Sequence, residues 1–511
     1  MHKENLALID IGSNSIRLVI FQLDEGGYHK EVQNLKVVAR LSSHINGDGN
    51  LTDQGMNVLL ASLKRFQDIT RTYELIKIKC VATAAIRQVK NQEAILTKIT
   101  EETDFSIRIL TEYEEAFYGY LAVTNSTNLK DGITIDIGGG STEVTLFNNR
   151  QLLYYHSFPF GAITLANKFI KNEIPTSEEL TQLRKFLIKH FQTLSWVNQK
   201  DLPLIGIGGS ARNLALIQQR NINYPLSGLH QYMMKYSNLK EITENLITLP
   251  QKQRQSIDGL SKDRADIIIP AAEAITALME VANAKTFIIS NKGLRDGLFY
   301  EELFKQLHID RFQNVAEESF NLLSRNYDIS LNHVTYLSSL ARNLFCELKG
   351  LFAHDLTKED LRLLHLGCRA LYIGEFISHE ASSQHTFYLL TNLSIDGISH
   401  SDRLKIALIA SFKSRSSLQS YLLPFKEWFT KAECEKIEFL GALLKFSYSL
   451  NLTKRKVFST IKLTTQSADN IHIELNYLEN PYFEENQAQK YKKHLERILK
   501  RRIGLIFCSE T

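Results

Sequence analysis

Two segments of this chain each end an apolar run with an aspartate, followed at once by a glycine and small polar residues. The first is Leu6–Ser15 and the second is Ile133–Thr142, with Asp10 and Asp136 at corresponding positions. Such a segment suits phosphate binding, because glycine lets the backbone turn so that N–H groups point towards an anion. The aspartate is placed to hold a cation or a water beside the phosphate. Two similar segments predict two related α/β halves that face each other across a cleft.

A third glycine-rich segment, Leu204–Ser210, again leads from an apolar run into Gly-Gly-Ser. It is neither a Walker A loop nor a Gly-x-Gly-x-x-Gly loop. One such segment would be interpreted as an ordinary tight turn, but three in the first 215 residues favour phosphate binding. The residues that we expect to contact phosphate are Gly12, Ser13, Asn14, Ser15, Gly138, Gly139, Gly140, Ser141, Thr142, Gly208, Gly209 and Ser210.

Apolar patterns predict the elements that position these loops. Thr176 and Glu179 have the spacing of a capping box, which indicates the start of a helix. Long amphipathic patterns from Arg311 to Phe446 predict a helical region. Ser467–Asn470 is expected to be a turn between two strands. Strands are expected at 6–11, 16–22, 78–83, 133–137, 143–147, 285–289, 457–463, 471–477 and 503–508, with helices at 53–70 and 486–502.

These changes in pattern divide the chain into four expected domains. Residues 1–124 and 125–305 form two α/β domains, 306–455 a mostly helical domain, and 456–511 a small α/β tail. With 511 residues there is ample length for several cores.

Composition excludes several classes of protein. Hydrophobic residues make up 44% and charged residues 23%, as in an ordinary globular protein, and the net charge of +4 gives no sign of a nucleic-acid partner. The five cysteines are dispersed without a Cys-x-x-Cys pair, which argues against a disulfide scaffold or a zinc site. The first apolar run is too short for a signal peptide, and no apolar stretch is long enough to span a membrane. We therefore expect a cytoplasmic protein without a membrane partner.

Eight strings, in order, resemble the motifs of the exopolyphosphatase / guanosine pentaphosphate phosphohydrolase (Ppx/GppA) family. The resemblance is close over residues 6–300 and weaker beyond. It implies two actin-like (ribonuclease H-like) α/β domains of the sugar kinase, Hsp70 and actin superfamily, followed by a helical HD-like domain and the small tail. The strings are Asp10–Arg17, Ala82–Arg87, Glu114–Ala116, Asp136–Glu143, Phe160–Ala162, Gly206–Asn213, Gly259–Pro270 and Gly293–Gly297.

The resemblance also implies roles for individual residues. Glu115 would be the general base that activates a water, and Arg87 would neutralise phosphate charge. Asp10, Asp136 and Glu143 would be the acids associated with Mg²⁺, which prefers oxygen ligands. Without the resemblance, the adjacent acids at 114–115 would indicate only the solvated start of a helix, where carboxylates interact favourably with the helix dipole. Three further residues fit the motifs but are expected to have structural roles rather than a direct part in the chemistry. They are Arg264, Asp266 and Asp296.

The C-terminal half departs from the family pattern. Longer members carry a Leu-His-Asp-Ile-Gly string that supplies metal ligands in the HD-like domain. The matching stretch, Ala370–Ser378, has Leu371 and Tyr372 in place of the His-Asp pair. His333 and His385 remain, but histidines without that aspartate cannot form the usual metal cluster. The domain is therefore interpreted as a relic scaffold.

The tail helix combines an apolar stripe with a basic face. One interpretation is structural: the helix packs by its apolar stripe and its basic face is solvated. The other is functional: the basic face is a track for a polyanion, whose binding would release counterions. The residues of this basic face are Lys490, Lys493, Arg497, Lys500 and Arg501.

Taken together, these features predict an exopolyphosphatase that releases orthophosphate from inorganic polyphosphate with Mg²⁺, and we expect a homodimer. The alternatives are hydrolysis of guanosine pentaphosphate to the tetraphosphate, a kinase of the same superfamily, and a non-catalytic regulator that binds polyphosphate or nucleotide. The presence of Glu115 argues against the last two.

Overall fold

The computed structural model describes residues 3–466 and 469–510, which form two compact units. The first unit holds the residues up to Tyr224 together with Leu229–Val315. The second holds Pro225–Gly228 and the residues from Ala316 onward. The helices of the described chain include none that is long and apolar enough to cross a membrane.

The first lobe of the first unit is a five-stranded sheet with helices on its faces. The strand order is β3-β2-β1-β4-β5, with β1, β2 and β3 antiparallel and β4 and β5 parallel to β1. Its elements are β1 (Glu4–Ile11), β2 (Ser15–Leu23), β3 (His29–Val38), α1 (Asp53–Thr70), β4 (Leu75–Ala82), α2 (Ala84–Arg87), α3 (Gln92–Glu102), β5 (Ile107–Ile109) and α4 (Glu112–Thr124).

The second lobe is a six-stranded sheet in the order β10-β11-β9-β6-β7-β8. Its elements are β6 (Gly132–Ile137), β7 (Thr142–Asn148), β8 (Gln151–Phe158), α5 (Ala162–Phe169), α6 (Ser177–Phe191), β9 (Leu204–Ile207), α7 (Gly208–Asn221), β10 (Met233–Lys235), α8 (Tyr236–Ile247), α9 (Gln251–Arg254), α10 (Ile268–Ala282), β11 (Thr286–Ile289) and α11 (Leu294–Leu307).

Without β10, this sheet repeats the topology of the first, since β6, β7 and β8 form antiparallel hairpins and β9 and β11 continue in parallel. The repeat confirms the predicted pair of actin-like α/β halves. It places Asp10 and Asp136 at equivalent points, near the ends of β1 and β6.

Local sequence explains why these elements form. The central strand β1 is buried on both faces, and accordingly Leu6 to Ile9 is an uninterrupted apolar run with at most 2% exposure. Helix α1 begins where Thr52 accepts a hydrogen bond from Gly55 N at 3.3 Å. The capping box predicted at Thr176 is present and opens α6. Helix α11 returns to the first lobe and approaches α4 so closely that a Cβ on Gly297 would lie 2.1 Å from the carbonyl oxygen of Tyr118.

The second unit is helical and carries a small three-stranded sheet, as predicted, with β12-β13 antiparallel and β13-β14 parallel. The tail helix begins at Tyr482, four residues before its predicted start. The turn predicted at 467–470 falls partly outside the described residues. The elements are α12 (Val315–Asn326), α13 (Leu331–Leu348), α14 (Lys358–Ala370), α15 (Ser382–Asn392), α16 (His400–Ala410), α17 (Arg415–Leu422), α18 (Lys431–Ser449), β12 (Phe458–Gln466), β13 (Asn470–Tyr477), α19 (Tyr482–Leu499) and β14 (Arg502–Ser509).

Candidate active site

The two aspartate loops are equivalent hairpin turns that face each other. Gly12 N donates to Ser15 O at 3.1 Å, and Gly138 N donates to Ser141 O at 3.0 Å. A Cβ on Gly139 would lie only 2.9 Å from Cβ of Ser13, so the two turns meet across the cleft and leave no room for a side chain there.

The third glycine-rich segment is a direct strand-to-helix junction. Helix α7 follows β9 without a loop, and Ile207 at its N-cap makes no side-chain cap. Gly208 has φ +85°, and a Cβ there would lie 2.6 Å from Oδ1 of Asp136. This position therefore requires glycine on conformational and steric grounds. The uncapped N–H groups of α7 are donors of the kind that bind anions at a helix N-terminus.

These three segments line one polar cavity of about 160 Å³ in the first unit. The predicted site residues in its wall are Asp10, Gly12, Ser13, Asn14, Ser15, Glu115, Asp136, Gly138, Gly139, Ser141, Glu143, Gly208 and Gly209. Gly140, Thr142 and Ser210 do not line it. The Thr142 hydroxyl donates instead to Phe160 O at 2.7 Å, and Ser210 Oγ accepts from Arg264 at 3.2 Å.

Helix α4 directs one of its two adjacent glutamates into this cavity. Glu114 closes the capping box, accepting from Thr111 N at 2.8 Å, and pairs with Arg108 at 2.8 Å. Glu115, one residue further along the helix, lines the cavity. The two adjacent glutamates therefore have different roles: Glu114 caps helix α4, and Glu115 lines the cavity.

Arg87 contacts Glu115 rather than the cavity. Its Nη1 donates to Oε2 of Glu115 at 2.9 Å and to Leu110 O at 2.9 Å, and Arg87 is not among the lining residues. Burial raises the pKa of Glu115 to about 7; Arg87 opposes the rise, and the charges of Asp136 and Asp10 add to it. A carboxyl group with that pKa exchanges protons near neutral pH, as a general base must.

The remaining acids are crowded and buried. Asp136 lies directly across the β6–β7 hairpin from Glu143. Burial raises the pKa of Asp136 to about 6, and burial with the charges of Glu115 and Asp136 raises that of Glu143 well above its usual range. Burial also raises the pKa of Asp10.

Clustered, desolvated carboxylates of this kind fit a hard divalent cation, which would relieve their repulsion. Among the described residues, however, no group of three or more His, Cys, Asp or Glu side chains is arranged so that it could hold a metal ion by itself. A Mg²⁺ ion held by Asp10, Asp136 or Glu143 would complete its coordination with water and phosphate oxygens, as that ion usually does.

Four arginines converge on the same cavity, and sequence analysis did not place them there. They are Arg17, Arg212, Arg264 and Arg295. Arg295 Nη1 lies 3.1 Å from Oδ2 of Asp10. Burial and, after it, the positive charges of the other three arginines lower the pKa of Arg212 to about 10, with the charge of Asp136 opposing them. Guanidinium groups crowded in this way are stabilised by a polyanion between them.

Several buried polar atoms around the cavity lack a hydrogen-bond partner. They include Asn14 Nδ2, Arg17 Nε and Asn291 Oδ1, all from residues of the cavity wall. Buried polar groups are nearly always satisfied in folded proteins, and these three atoms are exceptions in residues beside the cavity.

Comparison with known proteins decides the family. A model of the Ppx/GppA phosphatase family matches residues 19–306, and a model of domain III of the Ppx/GppA phosphatases matches residues 315–497. The chain belongs to the Ppx/GppA phosphatase family. The resemblance inferred from the eight strings is thereby confirmed.

Solved structures agree with this assignment. The Ppx/GppA family member of Aquifex aeolicus is 27% identical, with a TM-score of 0.53, and the match covers 60% of this chain and 99% of that one. An exopolyphosphatase of Cytophaga hutchinsonii is 20% identical, with a TM-score of 0.55, and the match covers 59% of this chain and 98% of that one. The second likeness concerns the fold alone. Family and fold together support a phosphatase.

The basic face of α19 in this Ppx/GppA protein is only partly free. Lys490, Lys493 and Lys500 are exposed, and Lys500 ends the helix with φ 55°. Arg497 is paired with Glu438 at 2.5 Å. Arg501 is half-buried. The apolar stripe packs as predicted, with Leu495 and Leu499 buried. A polyanion track on this face stays a prediction.

Proposed function

We propose that this chain is an exopolyphosphatase that removes the terminal orthophosphate of inorganic polyphosphate. The observation that carries the proposal is Glu115, a carboxyl group with a pKa of about 7 in the wall of a polar cavity lined by three glycine-rich segments. The four arginines of that cavity match the high charge of the substrate.

The residues support direct transfer of the phosphoryl group to water. Glu115 accepts a proton from the attacking water as its oxygen forms a bond to the terminal phosphorus, and the anhydride P–O bond to the next phosphate breaks. Arg87 orients Glu115 through the 2.9 Å contact. Backbone N–H groups of the turns and the cavity arginines hold the equatorial and bridging oxygens. Bound Mg²⁺ would supply further neutralisation of phosphate charge beside Asp136 and Glu143.

The cavity wall favours a bare phosphate chain over a nucleotide. Its described lining contains four arginines and no aromatic side chain, and the adjoining cavity of about 290 Å³, which shares Asn14 and Ile267, has none either. Protein sites that bind nucleobases commonly stack them on aromatic rings, with a contribution of about 1–3 kcal/mol per base. Guanosine pentaphosphate would be cleaved by the same catalytic groups, so it remains the alternative substrate.

One assay tests both substrate and catalysis. Phosphate release from long-chain polyphosphate and from guanosine pentaphosphate is measured side by side at the same Mg²⁺ concentration, with Glu115→Gln and Glu114→Gln as a matched pair. We expect the higher kcat/KM on polyphosphate, loss of release in Glu115→Gln and retention in Glu114→Gln. A higher kcat/KM on guanosine pentaphosphate would overturn the substrate. Binding of polyphosphate without release by the unmodified chain would identify a regulator.

We also propose a cytoplasmic location and a homodimer. All five cysteines are free, and burial raises the thiol pKa of Cys80 and Cys368, which keeps them as unreactive thiols. Light scattering on the full chain checks the dimer, and cell fractionation checks the location.

A further inference from the structure

Arg264 lines the active-site cavity, but few contacts of its own lobe hold its side chain there. Its guanidinium lies so close to Gly209 that no Cβ would fit at that glycine, and Nη1 donates to Oγ of Ser210 at 3.2 Å. Within the described parts of the chain, the Arg264 side chain forms no other hydrogen bond and no ion pair. The position of this guanidinium therefore depends on the backbone that carries it.

That backbone is a short turn between two helices. Lys262–Arg264 is a single 3₁₀ turn between α9 and α10, and Gly259 shortly before it has φ +93°. In its own lobe the turn is held by Asn213, whose Oδ1 accepts from Ser261 N at 2.6 Å. Because the hydrogen-bond geometry of a 3₁₀ turn is poorer than that of an α-helix, such a short turn needs further contacts to fix it.

The further contacts come from the first lobe. Nζ of Lys36, in β3, lies 2.9 Å from Oδ2 of Asp263, and Nη1 of Arg40 lies 3.0 Å from Oδ2 of Asp266. Nη2 of Arg40 also donates to Asp263 O at 3.0 Å. The acids one residue before and two residues after Arg264 are thus each held by a cation from the opposite lobe.

Arg40 is itself fixed to the wall of the same cavity. Its backbone is left-handed, with φ 45° and ψ 44°, a conformation that most residues other than glycine avoid. The N–H groups of Ala39 and Arg40 both donate to the carbonyl oxygen of Asn14, at 3.1 and 3.0 Å, and Asn14 lines the cavity. Arg40 therefore connects the first glycine-rich turn, through its backbone, to the turn that carries Arg264, through its side chain.

Stability alone does not explain these ion pairs. Their four side chains are between 24% and 41% exposed, and ion pairs with that access to water contribute little to the free energy of folding. A left-handed backbone at a residue other than glycine is unfavourable, and such conformations concentrate at functional sites. Both observations favour a role for Arg40 in the geometry of the cavity.

We propose that Lys36 and Arg40 are positioning residues for the phosphatase reaction. They hold the turn that carries Arg264 so that its guanidinium faces the phosphate chain, and they themselves stay paired with the aspartates. The proposal rests on the proposed function, because it takes a phosphate chain as the ligand. A guanidinium that is already in place loses less conformational entropy on binding, so the chain binds more tightly.

Calorimetric titration of the full chain with tripolyphosphate tests the proposal, in metal-free buffer so that binding is measured without turnover that depends on Mg²⁺. Arg264→Met should raise Kd at least about tenfold, the loss typical of a hydrogen bond between charged groups. Arg40→Met should raise Kd about fivefold. In a chain that already carries Arg264→Met, Arg40→Met should change Kd less than about twofold, because a residue that acts through Arg264 then has nothing to position.

Asp266→Asn separates positioning from simple attraction of charge. It breaks the ion pair with Arg40 by removing a negative charge, so electrostatics alone would lower Kd for an anion, whereas loss of positioning should raise it about fivefold. This variant also keeps the proposal testable if thermal melting shows that Arg40→Met does not fold.

Lys77→Met is the matched control for Arg40→Met. Nζ of Lys77 lies 2.8 Å from Oε2 of Glu302, so this ion pair also joins a strand of the first sheet to a segment distant in sequence. Neither residue lines the cavity, and the variant removes the same charge as Arg40→Met. Its Kd should equal that of the unmodified chain within about twofold.

The proposal is overturned if Arg40→Met and Asp266→Asn both leave Kd unchanged, or if Asp266→Asn lowers it. It is also overturned if Arg264→Met has no effect, if Lys77→Met weakens binding as much as Arg40→Met, or if the unmodified chain does not bind tripolyphosphate. An equal effect of Arg40→Met with and without Arg264 would mean that Arg40 contacts phosphate directly, against the proposal. Failure of the proposed function differs from all of these, since the expected Kd values would then accompany no phosphate release with Mg²⁺.

Discussion

Replacing Glu115 by glutamine should abolish catalysis and stabilise the protein at the same time. The rise of its carboxyl pKa from 4.5 to about 7 means that the folded chain disfavours the ionised form. At about 1.4 kcal/mol per pKa unit, ionised Glu115 lowers the free energy of unfolding by about 3 kcal/mol. Because the folded-state pKa is raised, this loss begins as pH rises above 4.5 and is complete above about 7.

Glutamine has the same shape, stays neutral and still offers Arg87 an oxygen. The variant should therefore match the unmodified chain in stability well below pH 4.5, where Glu115 is protonated in both the folded and the unfolded state. It should gain up to about 3 kcal/mol by pH 8. Phosphate release should fall by about 10²–10⁴-fold, as is typical when a general base is removed. Activity of the unmodified chain should itself fall about fivefold between pH 7 and pH 6, because the ionised fraction of a base with a pKa of about 7 falls by that factor.

Urea unfolding at several pH values and phosphate release on the same samples provide the measurement. Glu114→Gln is the control, because Glu114 caps α4 and pairs with Arg108. That variant should lose about 0.5–1 kcal/mol of stability and keep its activity. The reasoning would be refuted if Glu115→Gln showed the same pH dependence of unfolding as the unmodified chain, or if it retained near-normal kcat.

Other perturbations of the site have equally specific outcomes. Asp136→Asn and Glu143→Gln should raise the Mg²⁺ concentration needed for half-maximal activity; a titration unchanged in both would place the ion elsewhere. Arg212→Met should raise KM for polyphosphate and reduce the slope of log KM against log salt by about one, because one cationic contact is lost. Gly208→Ala forces φ +85° on alanine and places its Cβ 2.6 Å from Asp136, so both Tm and kcat should fall, as melting and phosphate release would show. Reversing the exposed charges of the tail helix should raise KM for long chains and leave guanosine pentaphosphate unaffected; an unaltered KM and salt slope would mean a solvated face. The residues to reverse are Lys490, Lys493 and Lys500.

Features of the fold were predictable from the sequence where the residues that specify them are neighbours in the chain. The turns after Asp10 and Asp136 were predictable, because apolar strand, aspartate and glycine are adjacent in sequence. Helix α6 was predictable because a capping box spans only four residues. Strand β8 was missed, since the turn before it has φ 48° at Asn149 and 58° at Arg150. That geometry is typical of Asn-Gly, and arginine at the second position hides it.

The arginine cluster was missed for a different reason. Three of its members lie on elements that are distant in sequence: Arg17 on β2, Arg212 on α7 and Arg295 on α11. Only the topology of the fold brings them to one cavity. One part of the cluster did have a local signal. Arg17 lies opposite Asp10 in the β1–β2 hairpin, and the seven-residue spacing across a glycine turn is the same as that between Asp136 and Glu143.

The two equivalent hairpins therefore present opposite chemistry from the same backbone position. In the first lobe the residue facing the aspartate is Arg17, and in the second lobe it is Glu143. A phosphate chain needs cations along its length, whereas the attacked phosphorus needs acids that handle a proton and a metal ion. The two equivalent hairpin positions therefore contribute one cation and one acid to the lining of the same cavity. The repeated fold explains where these side chains lie, and the difference between the repeats explains what they can do.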